Sequence, residues 1–375
     1  MMRFSTLIRH PAEWMIGGAV DNAVVLTSRI RLARNLRKIP FPGWATATQR
    51  REAMDLMLPV IQELRPMKDA FAQSLGGLTA VQKQVLVERH LISREHAART
   101  EGSAAVIERR QTLSIMINEE DHLRMQSIRP GLNLRVAYEA LNEVDDALQE
   151  KLPFAFDRKL GFLTTCPTNL GTGMRASAML HLPGLVLSNQ IGQVLNGIAR
   201  LGLAVRGLYG EGTESLGNLY QISNQSTLGE SEPQIIEQLE RVISQVAMHE
   251  AHARLKLLED EPIMLHDKMG RSFGVLRHAW LMDSKEALNH LSILRLGACL
   301  GFFPKETVRL CDTLLMEIQP AHLQLDCGQK LSPEQRDERR AQIMRLHLQN
   351  VPSPVTVLSN HKQQQISDSN PSPEP

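Results

Sequence analysis

Between Gly161 and Leu180 the chain reads GFLTTCPTNLGTGMRASAML. A short apolar run, Leu160 to Thr165, has the character of a buried strand. It breaks at Cys166-Pro167, turns through Gly171 and Gly173, and resumes at Met174-Arg175-Ala176-Ser177. Glycine permits positive φ and close approach of backbone, so a strand feeding such a turn either holds a ligand or is an ordinary turn. A cysteine at the strand end and an arginine past the glycines fit an anionic ligand beside a reactive centre. No Lys-Ser/Thr pair follows the glycines and the spacing is not GxGxxG, which excludes a Walker A loop and a dinucleotide fingerprint.

A chain of 375 residues is long enough for two domains around sizeable cores. Its 42 Lys+Arg nearly balance its 41 Asp+Glu, so no bulk field argues for nucleic acid or membrane. Arginine is unevenly used, clustering at Arg29, Arg31, Arg34 and Arg37 and again at Arg336, Arg339 and Arg340. Its planar fork suits bidentate phosphate recognition, whereas lysine acts more as a point charge. Cys166, Cys299, Cys311 and Cys327 form no CxxC pair, which disfavours a zinc site or disulfide framework. No apolar core follows Arg3 and Arg9 as in a signal peptide, and no run approaches the roughly 18 apolar residues of a membrane span. A cytoplasmic location is expected.

Residues 1–20 read as a lead-in with one helical turn. Asn22 to Leu32 alternates like a strand, which puts Arg29 and Arg31 on one face. Such a face either surrounds a polyphosphate or is a solvated sheet surface. Thr46 to Leu64 and Val81 to Leu91 are helix-like, and 104–118 reads as a strand pair leading into Glu119-Glu120-Asp121-His122. That acidic run is either a solvated charge cluster or a carboxylate-based site. Asn133 to Lys151 is an amphipathic helix with Val136, Leu141, Val144 and Leu148 at helical spacing. Strands are expected at 182–188, 204–206 and 219–223, and helices at 190–201 and 232–258. The 206–214 loop holds Glu211 between glycines. Beyond residue 260 the pattern turns helical, at 284–300, 304–318 and 332–348, with Ser332-Pro333 as an N-cap followed by proline. From Val351 the polar, proline-rich composition points to a disordered tail.

Taken together, SRIR at 28–31, NEEDHLR at 118–124, CPTNLGTGMR at 166–175 and RGLYGEGTES at 206–215 resemble, in order and spacing, the catalytic domain of the phosphagen (guanidino) kinase family. The segment RDERRA at 336–341 is similar to the RDxxRA motif of that family's protein-arginine-directed branch, for which it is a phosphoarginine site. SRIR begins near the N-terminus, which leaves no room for the helical N-terminal domain of the small-substrate members. The resemblance implies an α+β fold, a large mostly antiparallel sheet flanked by helices and followed by an all-helical C-terminal domain. It divides the chain into a lead-in (1–21), a catalytic domain (22–258), a helical domain with an oligomerising role (259–350) and a tail (351–375).

The same resemblance implies the site. Mg2+ and ATP are the expected cofactors, with nucleotide contacts at Ser28, Arg29, Ile30, Arg31, His90, Arg124, Arg175, Ala176, Ser177, Ala178, Met179, Arg206, Gly207, Leu208, Tyr209 and Gly210. His90 is equally an ordinary helix-end histidine when read alone. Glu120 and Glu211 correspond to carboxylates that orient the acceptor guanidinium, and Cys166 to a supporting reactive cysteine. Arg336, Asp337, Arg340 and Ala341 correspond to the phosphoarginine motif, although alone they read as a solvated helix face. A guanidinium is a poor nucleophile because it stays protonated, so a base near it is a chemical requirement. The implied activity is phosphorylation of arginine side chains on proteins, marking them for a Clp-type AAA+ protease with an activator protein involved, in a homodimer or higher oligomer. The other readings are a kinase for a small guanidino compound and an inactive phosphoarginine-binding adaptor.

Overall fold

The computed structural model describes residues 2–16, 24–207 and 215–355. Its strands are β1 (Val25–Arg34), β2 (Phe71–Ser74), β3 (Ala104–Ile107), β4 (Leu113–Ile117), β5 (Leu123–Pro130), β6 (Phe156–Asp157), β7 (Gly161–Phe162), β8 (Met174–His181), β9 (Leu203–Gly207) and β10 (Leu219–Asn224). Eight of them form one sheet in the order β2-β3-β4-β5-β1-β8-β10-β9, with every neighbouring pair antiparallel. β1 is central, bonded to β5 on one side and β8 on the other. The helices before residue 262 are α1 (Phe4–Arg9), α2 (Glu13–Ile16), α3 (Ala47–Glu63), α4 (Ala80–Glu88), α5 (Arg94–Ala97), α6 (Leu134–Gln149), α7 (Pro183–Leu187), α8 (Ile191–Arg200) and α9 (Glu232–Asp260). After them come α10 (Pro262–His278), α11 (Ser284–Cys299), α12 (Glu306–Glu317), α13 (Pro320–Asp326) and α14 (Pro333–Leu348).

Alternation assigns the two faces of the sheet. Ile30 and Leu32 of β1, Met125 of β5, Ala176 of β8 and Ile222 of β10 are buried against Leu141 and Val144 of α6 and Leu239 and Ile243 of α9. The opposite face carries the arginines. A second core, built on Leu291, Leu294, Phe302, Leu314 and Met344, holds α10 to α14 together. It continues onto the sheet through Leu26, Met179 and Leu219, so the helical part is welded to one end of the strands. Ser332 caps α14 reciprocally with Gln335, as its N-terminal pattern foretells.

Several expectations are corrected. Leu160–Thr165 is no buried strand: only Gly161–Phe162 is extended, in a separate hairpin with β6, and Leu160 is exposed. Gly161 sits at φ +73, with a Cβ position 2.4 Å from the Gly171 carbonyl oxygen, so this segment packs on the glycine turn rather than in the sheet. Residues 182–188 hold a helix, α7, where a strand was expected. Pro183 opens it, and the Glu250 carboxylate accepts from the amides of Gly184 (2.8 Å) and Leu185 (2.9 Å). A short apolar run has no periodicity to separate the two states, and here a remote carboxylate decides. Val136 faces solvent, and α6 buries Leu134, Ala137, Leu141, Val144 and Leu148 instead. α10 and α13 were not anticipated, and the lead-in forms two helices. Arg89 ties the lead-in down by donating to the carbonyls of Ile8 (2.8 Å) and His10 (2.9 Å). The start of the expected disordered tail is also anchored, since the Val355 amide donates to Phe302 (3.0 Å). Residues 356–375 lie outside the described ones.

Candidate active site

On the open face of the sheet, register brings the sequence-separated arginines together. Arg31 of β1 lies opposite Arg175 of β8 and Gln126 of β5. Arg29 lies opposite Ser177, which is opposite Ser223 of β10, and Arg206 of β9 is opposite Gln221. Arg124 completes the face two residues before Gln126. All five guanidiniums line a cavity of about 530 Å³, and Arg29, Arg31, Arg124 and Arg206 continue into an adjoining one of about 680 Å³.

These charges are poorly compensated. Burial, then Arg124 and Arg175, pull the Arg29 guanidinium down to about 10. Burial, then Arg29, Arg124 and Arg175, hold the Arg31 guanidinium well below the usual arginine range. Burial and then Arg206 and Arg124 lower Arg175. Only Arg124 moves up: burial opposes its charge, but the Glu119 carboxylate, at 2.7 and 2.8 Å, outweighs it. The Nε atoms of Arg31 and Arg175 are buried without a partner among the described residues. Buried cations and unspent donors facing one cavity are the chemistry of a polyanion site.

The acidic turn divides its labour among three residues. Glu119 is buried and accepts from the Ser93 hydroxyl (2.6 Å) and Arg124. Asp121 is buried too, accepting from Asn35 Nδ2 (2.6 Å) and the Thr165 amide (2.7 Å). Thr165 also donates its hydroxyl to the Glu120 carbonyl (3.0 Å), which locks the cysteine-bearing turn against the acidic one. Glu120 is left with its half-buried carboxylate on the 530 Å³ cavity. Burial and the charges of Asp121 and Glu119 raise its pKa. A carboxylate made more basic beside a cationic cavity is suited to accepting a proton. Cys166 follows Thr165 directly, with its sulfur 3.0 Å from the Thr168 hydroxyl.

The remaining expected residues separate into groups. Ser177, Met179 and Arg29 share the arginine face, whereas Ile30, Ala176 and Ala178 pack into the core and Ser28 donates to the Gly131 carbonyl (2.7 Å). Arg34 and Arg37, grouped by sequence with the phosphate arginines, are elsewhere. Arg34 pairs with Asp145 at 2.6 Å with its guanidinium 3.5 Å from the Phe162 ring centre, and Arg37 donates to the Phe154 carbonyl (2.9 Å). His90 follows the end of α4 at φ +58, and burial and the Arg29 charge hold its imidazole down at about 4, hence neutral. Gly207 ends β9. Leu208, Tyr209, Gly210 and Glu211 lie outside the described residues. Of the 336–341 motif, Arg336 lines the 680 Å³ cavity. Arg340 is buried, donating to the carbonyls of Ile318 (3.1 Å) and Met282 (2.7 Å) and to Asp337 (2.6 Å), and Ala341 is in the helical core. Sequence reading passed over Gln221, which lines both cavities and accepts from Arg29 at 3.3 Å. Its alternate position on a strand facing the arginines was the available signal.

Comparison with known proteins gives the family. Residues 54–253 match the family model "ATP:guanido phosphotransferase, C-terminal catalytic domain", and residues 262–360 match the "protein-arginine kinase McsB C-terminal domain". The protein-arginine kinase of Halothermothrix orenii is 45% identical over 340 residues, 91% of this chain and 97% of that one. That of Brevibacillus brevis is 44% identical over 344 residues, 91% and 96% of the two chains. Among solved structures, lombricine kinase is similar with TM-score 0.55 and 26% identity, over 65% of this chain and 69% of that one. The duplicated taurocyamine kinase of Schistosoma mansoni shares the fold, with TM-score 0.55 and 24% identity over 74% of this chain and 37% of that one. The chain belongs to the ATP:guanido phosphotransferase family, among its protein-arginine kinases. It is a phosphotransferase enzyme.

Proposed function

We propose that this chain transfers the terminal phosphoryl group of ATP to arginine side chains of proteins. The observation that carries the reading is the cleft in which five arginines, three of them pulled down by burial and by neighbouring arginines, face a carboxylate of raised basicity. Phosphoryl transfer needs positioning and charge stabilisation more than covalent help. Arg29, Arg31, Arg124, Arg175 and Arg206 supply the charge around the phosphates, and a Mg2+ accompanying the nucleotide would offset the remaining negative charge.

The acceptor guanidinium is itself cationic, so among these arginines it needs an anion to hold it. Glu120 is that anion. As the N–P bond forms and the bond to ADP breaks, the proton leaving the acceptor nitrogen passes to Glu120. Cys166, next in the chain to the cavity-lining Thr165, is the residue to which this reading gives a supporting role beside the acceptor. The segment 336–341 enters this reading through Arg336, whose position on the cavity wall fits docking of a phosphorylated arginine. An activator and a Clp-type protease as partners extend the same reading.

The test offers Mg-ATP with free L-arginine or with unfolded casein and follows acid-labile phosphate by 31P NMR. Labelled casein, unlabelled free arginine, and a loss of about 10²- to 10⁴-fold in Glu120→Ala are expected. Transfer to free arginine alone would overturn the protein-directed reading.

A further inference from the structure

Trp14 belongs to neither family match, yet it lines a cleft with Arg29, His90 and Gln221 beside the arginine face. It sits on α2, is 7% exposed, and packs its indole on the His90 ring with centroids 5.7 Å apart at 47°. Its Nε1 and the Nε2 of His90 are both buried without a hydrogen-bond partner among the described residues. An indole N–H can only donate, and leaving it dry and unpaired is unfavourable. Both atoms belong to residues lining one narrow cleft, together with Thr27, Arg29, Ile128 and Gln221. Arg29, His90 and Gln221 also line the 680 Å³ cavity that holds the phosphate-facing arginines.

The cleft's volume is about 30 Å³. That admits one or two water-sized groups and excludes a whole purine. A ligand therefore inserts an edge here while its bulk lies in the larger cavity. Ile128 and the Trp14 ring supply an apolar wall, and the two unpartnered ring nitrogens belong to residues of that wall. An uncharged, partly apolar group with an acceptor atom, attached to a polyphosphate, describes the nucleoside end of a nucleotide.

We infer that Trp14, held against His90 by the N-terminal segment, binds the nucleoside edge of the nucleotide by donating its indole N–H, and so helps set nucleoside specificity. The inference rests on the nucleotide reading above. It differs from it in assigning a contact to a residue outside the catalytic repertoire of the sheet.

The experiment compares Mg-ADP and inorganic tripolyphosphate binding to wild-type protein and Trp14→Phe by calorimetry. Loss of one hydrogen bond predicts about five- to tenfold weaker Mg-ADP binding, an equal rise in KM for ATP at nearly unchanged kcat, and unaltered tripolyphosphate binding. Repeating the comparison with 2′-deoxy-ATP assigns the acceptor: a vanished difference places it on the ribose, a retained one on the base. A second measurement needs no change at the site. In a Trp44→Phe/Trp280→Phe background, which removes the two exposed indoles (84% and 73% exposed), Trp14 fluorescence responds to Mg-ADP and ignores tripolyphosphate. Equal Mg-ADP affinity in wild type and Trp14→Phe, or a silent Trp14, overturns the inference alone. If wild-type protein binds no Mg-ADP, the nucleotide reading falls with it.

Discussion

Glu119 and Glu120 are chemically identical neighbours put to opposite uses. Burial pushes Glu119 up, but the charge and hydrogen bonds of Arg124 bring it below the usual carboxylate range, so it stays an anion and positions that arginine. Burial and two acidic neighbours raise Glu120, so it takes up a proton more readily. A base acts in its deprotonated form, and activity is lost as pH falls through its pKa. The acid limb of the kcat–pH profile on a protein substrate is therefore expected above the ordinary glutamate value of about 4.3. A limb centred at or below that value would assign proton transfer elsewhere. The sequence displayed all three acids of the turn. It could not show which two are consumed by Ser93, Arg124, Asn35 and Thr165, because those partners come from separate elements and one neighbouring residue five positions away.

Among elements, β1 does two jobs with one alternating run. Arg29 and Arg31 face the cleft, while Arg34 turns into the core and is gripped by Asp145 of α6 through three hydrogen bonds of 2.6 to 3.1 Å. Arg34 Nη1 also donates to the Ala33 and Thr172 carbonyls, both at 2.9 Å, which ties β1 to the turn before β8. A Cβ on Gly173, at φ +66, would lie 2.6 Å from that nitrogen, so this glycine is required by both conformation and space. Asp145→Ala leaves a buried guanidinium unpaired and is expected to destabilise by about 3–5 kcal/mol in urea unfolding. Replacing both partners, as Arg34→Met/Asp145→Leu, should recover part of that loss. A single variant as stable as wild type would show that the pair contributes nothing. Alternation revealed the strand. The buried role of Arg34 was hidden because a sequence pattern does not distinguish a charge facing phosphate from one facing a remote aspartate.

At the scale of the whole molecule, the helical part reaches back to the catalytic cleft through α13. Glu88, the last residue of α4, accepts from the amides of Ala321 (2.8 Å) and His322 (3.1 Å) and lies 2.7 Å from His322 Nδ1. Arg89 Nε donates to His322 Nε2 at 3.1 Å, which makes Nδ1 the protonated nitrogen. Gln319, Pro320 and Ala321 consequently form a wall of the 680 Å³ cavity, two residues from His90 on the Glu88 side. Glu88→Ala strands those helix-terminal donors, an expected loss of about 1–3 kcal/mol. It should appear as a lowered Tm and as faster hydrogen exchange at the amides of Ala321 to Asp326. Unchanged exchange there would mean that α13 is held by its apolar contacts alone.

The sequence by itself determined most of the long elements (α10 excepted), the arginine-bearing face of β1, the acidic turn and the family, since each is written in local periodicity or in contiguous motifs. Only the tertiary structure decided that 182–188 is a helix, that Glu120 is the acid left facing the cavity, that Arg34 and Arg340 are buried, and that Trp14 packs on His90. Each of these depends on which remote group satisfies a buried charge or backbone donor. That choice is made by packing between segments far apart in the chain, where no local pattern records it.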